Sequence, residues 1–438
     1  MSPGLAGTLI ALSLVGLLLA GVPVAFALAA VAIAFLVAAE GAGALAVLGE
    51  TVFGTLDEFA LLSIPMFILM GTAVAASRAG ADLYEALDRW LQRVPGGLLI
   101  SNLGACALFA ALTGSSPATC AAIGRMGVPE MTRRGYPPGL ATGAIAAGGT
   151  LGILIPPSIT MIVYGIATET SIGRLFLAGV VPGLVLTALF MAWGYVHAAR
   201  SGLRLAGGGR RYGWRERLEM VPRVGPFLAV VVGVLWALYG GLATPSEAAA
   251  VGALLSIVLV MVVYRVWRPR ALWAILQAAT RESVMIMLII AAAGLFGHTL
   301  STLYVTQAVA ESIAALDVAP WALLIAVNAF LLVAGLFLPP VAVILMAAPT
   351  LLPIVERAGY DPVWFGVMLT INMEIGLITP PVGLNLYVIH GIAPGVRLST
   401  VLWGALPFML CMLLAIALLA LFPELATWLP DLLMGPVR

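Results

Sequence analysis

A chain of 438 residues that is 62% hydrophobic, 9% charged and +1.11 in mean hydropathy is not built for water. A soluble chain carries roughly 25% charged residues, so most of this surface must meet lipid. The net charge of +1 points to no partner, and no nucleic-acid partner is expected.

Many apolar runs approach or exceed the roughly 18 residues of a membrane-spanning helix. They are too long and uniform for barrel strands, which alternate over about ten residues. Spanning backbone must satisfy its own hydrogen bonds, so the expected class is an all-α polytopic membrane protein. All 21 basic residues are Arg, which reads as compositional bias. Cys106, Cys120 and Cys411 are scattered and have neither metal spacing nor a disulfide framework.

Along the chain, Leu5–Ala20 lacks the basic flank of a signal peptide and reads as the first span, 4–20. Further spans are expected at 22–39, 60–77, 175–198, 225–240, 249–266, 283–302 and 399–422. Four stretches differ. Residues 98–126 and 320–353 are long apolar runs interrupted midway by Gly, Ser or Pro, and 139–168 and 362–391 are each broken by Pro-Pro. The stretches 40–59, 168–174, 241–248, 303–319 and 354–361 are expected as short outer connections.

Arginines orient the chain. Arg200, Arg204, Arg210, Arg211, Arg215, Arg217 and Arg223 fill the only long polar stretch, 200–223, which the positive-inside rule places in the cytoplasm. Arg265, Arg268, Arg270 and Arg281 return there two crossings later. Arg78, Arg89 and Arg93 precede segment 98–126, and Arg125, Arg133 and Arg134 close or follow it. Both groups are inside only if that segment is a re-entrant hairpin with its tip near Thr113–Thr119. Both termini then fall outside.

The two halves match at one constant offset. Pro129 pairs with Pro353, Arg133 with Arg357, Gly135-Tyr136 with Gly359-Tyr360, Pro138 with Pro362, Gly152 with Gly376, and Pro156-Pro157 with Pro380-Pro381. Each half holds five crossings and a hairpin, so the repeats are inverted. The expected organisation is a first repeat at 1–198, an Arg-rich cytoplasmic linker at 199–224 and a second repeat at 225–438. That makes about ten transmembrane helices plus two re-entrant hairpins. Inverted repeats with broken helices characterise secondary transporters, whose ligands bind near the midplane.

The first tip reads Thr113-Gly114-Ser115-Ser116-Pro117-Ala118-Thr119. Gly and Pro free carbonyls there and the hydroxyls add oxygens, a set that suits a hard cation such as sodium. The plainer reading is small-residue helix packing. The breaks run Gly148–Ser158 and Asn372–Asn385. Irregular backbone at depth belongs where it lines a cavity or is buried in protein. Glu374 precedes the second break by about a turn. It reads either as a functional intramembrane carboxylate or as a residue near the outer water layer with a hydroxyl or amide partner. His197, His298 and His390 read as structural or interfacial. No Arg or Lys falls at the presumed midplane, so an anionic substrate would rely on half-helix N-termini, hydroxyls and cations.

Several strings together resemble the large membrane subunit of tripartite ATP-independent periplasmic (TRAP) transporters. They are Ser63-Ile64-Pro65-Met66-Phe67, the Gly114–Thr119 tip, Pro129 through Gly135-Tyr136, Gly149–Ser158, Thr244–Gly252 and Asn372–Asn385. The resemblance implies an elevator-type permease of the inner membrane that works with a small four-helix (Q) subunit and a periplasmic binding (P) protein. Together they import an organic acid, C4-dicarboxylate or related, driven by sodium and with no other cofactor. It further implies sodium sites at Gly114, Ser115, Ser116, Thr119, Gly149 and Thr150 and, by symmetry, at the second tip with Pro339, Thr379 and Gly383. Substrate-facing candidates are Ser116, Pro156, Pro157, Ser158, Glu374, Pro380, Pro381 and Asn385. One departure stands out: Pro339-Pro340 occupies the second tip where the family carries polar side chains. Rival readings are a one-component transporter, a non-transporting scaffold, and an intramembrane hydrolase using Ser115 or Ser116 with His298 or His390 as base.

Overall fold

In the computed structural model, which describes residues 2–91, 94–201, 212–314, 319–393 and 395–435, every regular element is a helix. Arg93, Arg204, Arg210 and Arg211, used to orient the chain, lie outside the described residues. The first helices are α1 (Pro3–Leu19), α2 (Val24–Glu40), α3 (Leu45–Leu56), α4 (Ser63–Ala75) and α5 (Ala79–Leu91). A helical hairpin follows, α6 (Gly97–Thr113) and α7 (Ser116–Arg133), and then a broken helix, α8 (Pro138–Gly149), α9 (Leu151–Leu154) and α10 (Ile159–Ala167). The half closes with α11 (Ile172–Arg200).

The remainder comprises α12 (Trp214–Leu218), α13 (Val221–Tyr239), α14 (Pro245–Tyr264), α15 (Pro269–Thr302) and α16 (Val305–Ala314). A second hairpin, α17 (Pro320–Phe337) and α18 (Pro340–Arg357), leads to a second broken helix, α19 (Pro362–Leu377) and α20 (Leu384–Ile392). Helices α21 (Leu398–Leu421) and α22 (Glu424–Met434) end the described chain. Proline opens α8, α14, α17, α18 and α19, where its missing N–H costs nothing and its fixed φ suits a first turn.

Seven described helices are long and apolar enough to cross a membrane, or nine if each of two bent pairs counts as one span. The pairs are 42–56 with 59–75, bent by 62°, and 138–154 with 159–167, bent by 42°. Shorter apolar helices include α1, α2, α6 and α19. The protein is a multi-pass membrane protein. Its outward rows carry Val232, Trp236, Leu254, Val262, Phe330 and Val333 in the open, a face that suits lipid.

Two stretches expected as simple connections prove helical. Residues 40–59 carry α3, and 303–319 carry α16. Helices α5 and α22 also lie outside the expected spans. Charge along α5 hides it from a hydropathy reading, yet Asp82, Leu83, Tyr84 and Asp88 turn inward. Asp82 accepts from the Tyr264 hydroxyl at 2.8 Å, and Asp88 meets Arg134 at 3.3 Å. Burial pushes the Asp88 carboxyl up from its ordinary range, with Arg134 opposing. Helix α5 thus ties α14 to the end of the first hairpin.

The deepest packing surrounds α6, α8 and α19, whose side chains are buried nearly all round. A separate apolar cluster joins α1, α2, α15 and α16 through Ile10, Leu14, Leu28, Phe296 and Val305. Helix α8 meets α21 backbone to backbone. A Cβ on Gly143 would lie 2.0 Å from the Gly404 carbonyl carbon, and one on Gly404 1.8 Å from the Gly139 carbonyl oxygen. The Gly139-x-x-x-Gly143 spacing supplies that close approach.

Candidate functional site

Each hairpin tip seats on a broken helix. The first tip turns through Gly114, whose φ of +59° is the left-handed conformation that glycine adopts freely. A Cβ there would stand 2.6 Å from the Pro157 carbonyl, so tip and break are in contact. At the second tip the Val382 N–H donates to the Leu336 carbonyl at 3.2 Å, and a Cβ on Gly376 would lie 2.2 Å from the Gly335 carbonyl. The helices break where the sequence predicts. Backbone between Leu154 and Ile159 and between Leu377 and Leu384 leaves the α form, and Pro156–Pro157 and Pro380–Pro381 are both cis.

The structure joins residues from opposite halves at the first tip. The Ser116 hydroxyl donates to the Glu374 carboxylate, 2.8 Å from Oε2 and 3.0 Å from Oε1. Ser116 is fully buried and Glu374 is 1% exposed. Of the second reading of Glu374, the hydroxyl partner is present but the place near outer water is corrected: α19 is enclosed on every side, and the carboxylate sits within protein. Asn385, also fully buried, donates from Nδ2 to the Ala146 carbonyl at 3.1 Å. Gly149 lies among them. A Cβ there would be 3.0 Å from the Ser116 carbonyl, 3.3 Å from Asn385 Nδ2 and 2.1 Å from Cys120 Sγ.

Other candidates are engaged elsewhere. Thr119 Oγ1 is shared between the Ser115 carbonyl and Thr113 Oγ1, both at 2.9 Å. Thr150 and Thr379 donate back into their own helices, to the Ala147 and Ile375 carbonyls at 2.6 Å each. Ser158 accepts from the Met161 N–H and caps α10. Pro339 caps α18 in extended backbone, and Gly383 takes a φ of +38° at the start of α20. Cys120, read as belonging to no metal or disulfide set, packs beside the tip: its thiol donates to the Ile145 and Ala146 carbonyls at 3.4 and 3.6 Å. An amide pair also went unseen in the sequence, Asn372 Nδ2 donating to Asn328 Oδ1 at 2.6 Å between α19 and α17. As for the hydrolase reading, the partner of the Ser116 hydroxyl is Glu374, and His390 Nδ1 lies 2.9 Å from the Val396 carbonyl.

A cavity of about 800 Å³ lies elsewhere, between the α3–α4 elbow, the α10–α11 turn and α15. Glu58, Glu169, Thr170 and Ser171 line it together with Leu238, Ile290 and Leu345. Among the described residues no group of three or more His, Cys, Asp or Glu side chains could hold a metal ion. The oxygens at the tip are carbonyl, hydroxyl, amide and a single carboxylate, a set that suits a hard monovalent cation.

Known proteins share this architecture and sequence. The chain is similar to the YdaH transporter of Alcanivorax borkumensis, a solved structure, with a TM-score of 0.62 over 90% of this chain and 91% of that one, at 17% identity. It is 40% identical over 384 residues to the C4-dicarboxylate TRAP transporter large permease protein DctM of Pseudomonas aeruginosa, covering 88% of this chain and 89% of that protein. It is 35% identical to the isethionate TRAP transporter permease protein DctMQ of Oleidesulfovibrio alaskensis, covering 85% of this chain but 59% of that longer protein. These relatives are named as transporter permeases and not as enzymes. The family model for the tripartite ATP-independent periplasmic transporter DctM component matches residues 11–425. With hairpins and breaks in place and identity sustained over most of its length, the chain belongs to the DctM family of TRAP transporter large permeases.

Proposed function

We propose that this chain is the large permease of a sodium-driven tripartite transporter that imports an organic acid across the bacterial inner membrane. The observation that carries the proposal is the pairing of each hairpin tip with a Pro-Pro break, which leaves backbone outside helical bonding at two places, with buried hydroxyls at the first. In lipid such irregular backbone persists only where it is enclosed or lines a path. Both bounds of α18 follow those of α7, and the start of α19 follows that of α8, at the same offset that relates the sequence motifs, which supports two repeats. Ten crossings result when α1, α2, α3–α4, α8–α10, α11, α13, α14, α15, α19–α20 and α21 each cross once. The two hairpins are then re-entrant, and both termini face the periplasm. The lobe of hairpins and broken helices, with α21 locked to α8, would slide as an elevator against the remaining helices.

The names of relatives support this substrate class and these partners. One carries a C4-dicarboxylate name and another an isethionate name, and both are small organic anions. The DctMQ relative is longer than this chain, leaving room for a small subunit joined to the large one. The outer connections assigned here are too short for a soluble capturing domain, which needs at least about 50 residues to hold a core. Capture would fall to a periplasmic binding protein. Vesicles holding this chain with its small subunit should take up succinate only when the binding protein and an inward sodium gradient are both present. Uptake from free substrate would indicate a one-component transporter, and equal uptake on a proton gradient without sodium would remove the sodium coupling.

A further inference from the structure

We infer that one face of α4, formed by Phe67 and Gly71, is the stop on which the hairpin lobe comes to rest at one end of its travel. The inference deepens the elevator reading and rests on it.

Helix α4 has neighbours on both sides of the seam. Met70 and Ala73 turn toward the stationary helices. A Cβ on Gly252 of α14 would lie 2.9 Å from Met70 Sδ, and Ala73 shares a small apolar crevice with Ile257 and Val260 of that helix. Phe67 and Gly71, four residues apart and so on one face of α4, turn toward the lobe. The Phe67 ring meets Phe176 of α11 edge to face, with centroids 6.1 Å apart. A Cβ on Gly71 would stand 2.5 Å from the Thr113 carbonyl oxygen and 3.0 Å from Thr113 Cα, at the first hairpin tip.

The sequence leaves that carbonyl free. Thr113 ends α6, and the N–H four residues on, which would continue the helix, is missing because the residue there is Pro117. Among the described residues no backbone N–H outside the helices' own bonding donates to the Thr113 carbonyl, and Thr113 is buried. Gly71 meets it with a Cα–H, a weakly favourable contact that no larger residue could make at this range. The two contacts of this face differ in kind. Rings can trade partners as one helix slides past another. Main chain against main chain cannot, since no rotamer yields, so the Gly71–Thr113 contact belongs to one register of the lobe. Among the described glycines of α1–α4 and α13–α15, Gly71 is the one whose Cβ would strike backbone of the lobe. The tip it touches is itself seated on the first break, through Gly114 and the Pro157 carbonyl, so the stop bears on the whole lobe. A side chain at position 71 would hold the tip off and raise the energy of this position of the lobe alone.

The test uses the full chain in lipid nanodiscs, with its three native cysteines replaced by alanine. Nitroxide spin labels are attached at Val232→Cys on α13 and Leu410→Cys on α21, both exposed. The distance between them is read by pulsed electron spin resonance, with and without sodium and succinate. Helix α21 travels with the lobe and α13 does not, so sliding shows as a second distance. Gly71→Ala is expected to lower the population at the distance of this structure, relative to the other, by about fivefold or more, the effect of ordinary overpacking. Phe67→Leu gives up the ring contact and is expected to shift the ratio the same way by a smaller factor. It decides the matter if Gly71→Ala fails to fold, and an unchanged ratio would then overturn the inference. Gly7→Ala is crowded too, by Val305 Cγ1 at 2.7 Å, but that contact lies within the stationary part, and the ratio is expected to stay as it was. An equal shift in Gly7→Ala would assign the effect to general crowding and overturn the inference. A single distance in the wild type and in every variant would remove the elevator reading and this inference with it. Two distances whose ratio Gly71→Ala leaves unchanged would remove this inference alone.

Discussion

Gly149 shows how tightly single atoms are specified at the first break. Its absent side chain makes room for Cys120 Sγ on one side and the Ser116 carbonyl on the other. Gly149→Ala should therefore overpack the site, costing about 1–3 kcal/mol in thermal stability and abolishing transport. Cys120→Ala in the same chain removes the nearer clash and should recover part of that loss. Full additivity of the two changes in a double-mutant cycle would refute the packing account. At this scale the sequence was only partly readable. Gly149 and Ser116 stood out because they sit at a punctuated tip and break. The bond from Ser116 to Glu374 did not, because 258 residues separate them and no local pattern encodes a contact across halves. Cys120 carried no signal of its own, since a lone apolar cysteine looks the same in any buried helix.

Elements announced themselves where apolar runs met Gly, Ser and Pro. Both hairpin turns and both breaks lie inside the stretches those signals marked, while α7 runs on past 126 to Arg133 and α18 past 353 to Arg357. Helices α3 and α5 escaped because Glu50 and Asp57 interrupt one apolar window and Asp82, Glu85, Asp88 and Arg89 fill the other. Only tertiary contacts show that part of this charge turns inward. The Thr244-Pro245-Ser246-Glu247 string illustrates a motif with a local mechanism. Thr244 accepts from the Glu247 N–H at 3.3 Å, and the Glu247 carboxylate accepts from the Thr244 N–H at 2.8 Å, so the two close a capping box on α14. Ser246 then donates to the Phe59 carbonyl at 2.9 Å and fastens the helix start to the bend before α4. Thr244→Ala is expected to lower stability by about 1 kcal/mol, read from the unfolding midpoint, with transport retained. A loss of transport at unchanged stability would place this residue in the mechanism instead.

At the scale of the whole molecule, orientation in the membrane governs every other proposal. A cysteine-free chain given one new cysteine at Leu433, on exposed α22, should react with an impermeant maleimide added outside intact cells. One placed between residues 202 and 211 should react only after the membrane is opened. The reverse pattern would invert the topology and remove the re-entrant hairpins, because the arginine clusters at both ends of the first hairpin could no longer share the cytoplasm.

The contact of α8 with α21 sets a limit on how this molecule can breathe. Where main chain rests on main chain at Gly139, Gly143 and Gly404, no rotamer change can let the two helices part. They must travel as one rod, and the seam separates only when the surrounding lobe loses its structure altogether. Amide hydrogens from Leu140 to Gly148 should then exchange with deuterium among the slowest in the protein, at rates set by global unfolding. Those of α3, with no buried side chain, should exchange much faster. Gly404→Ala, by prying the rod open, should bring the α8 amides toward the faster class before it changes the helix content.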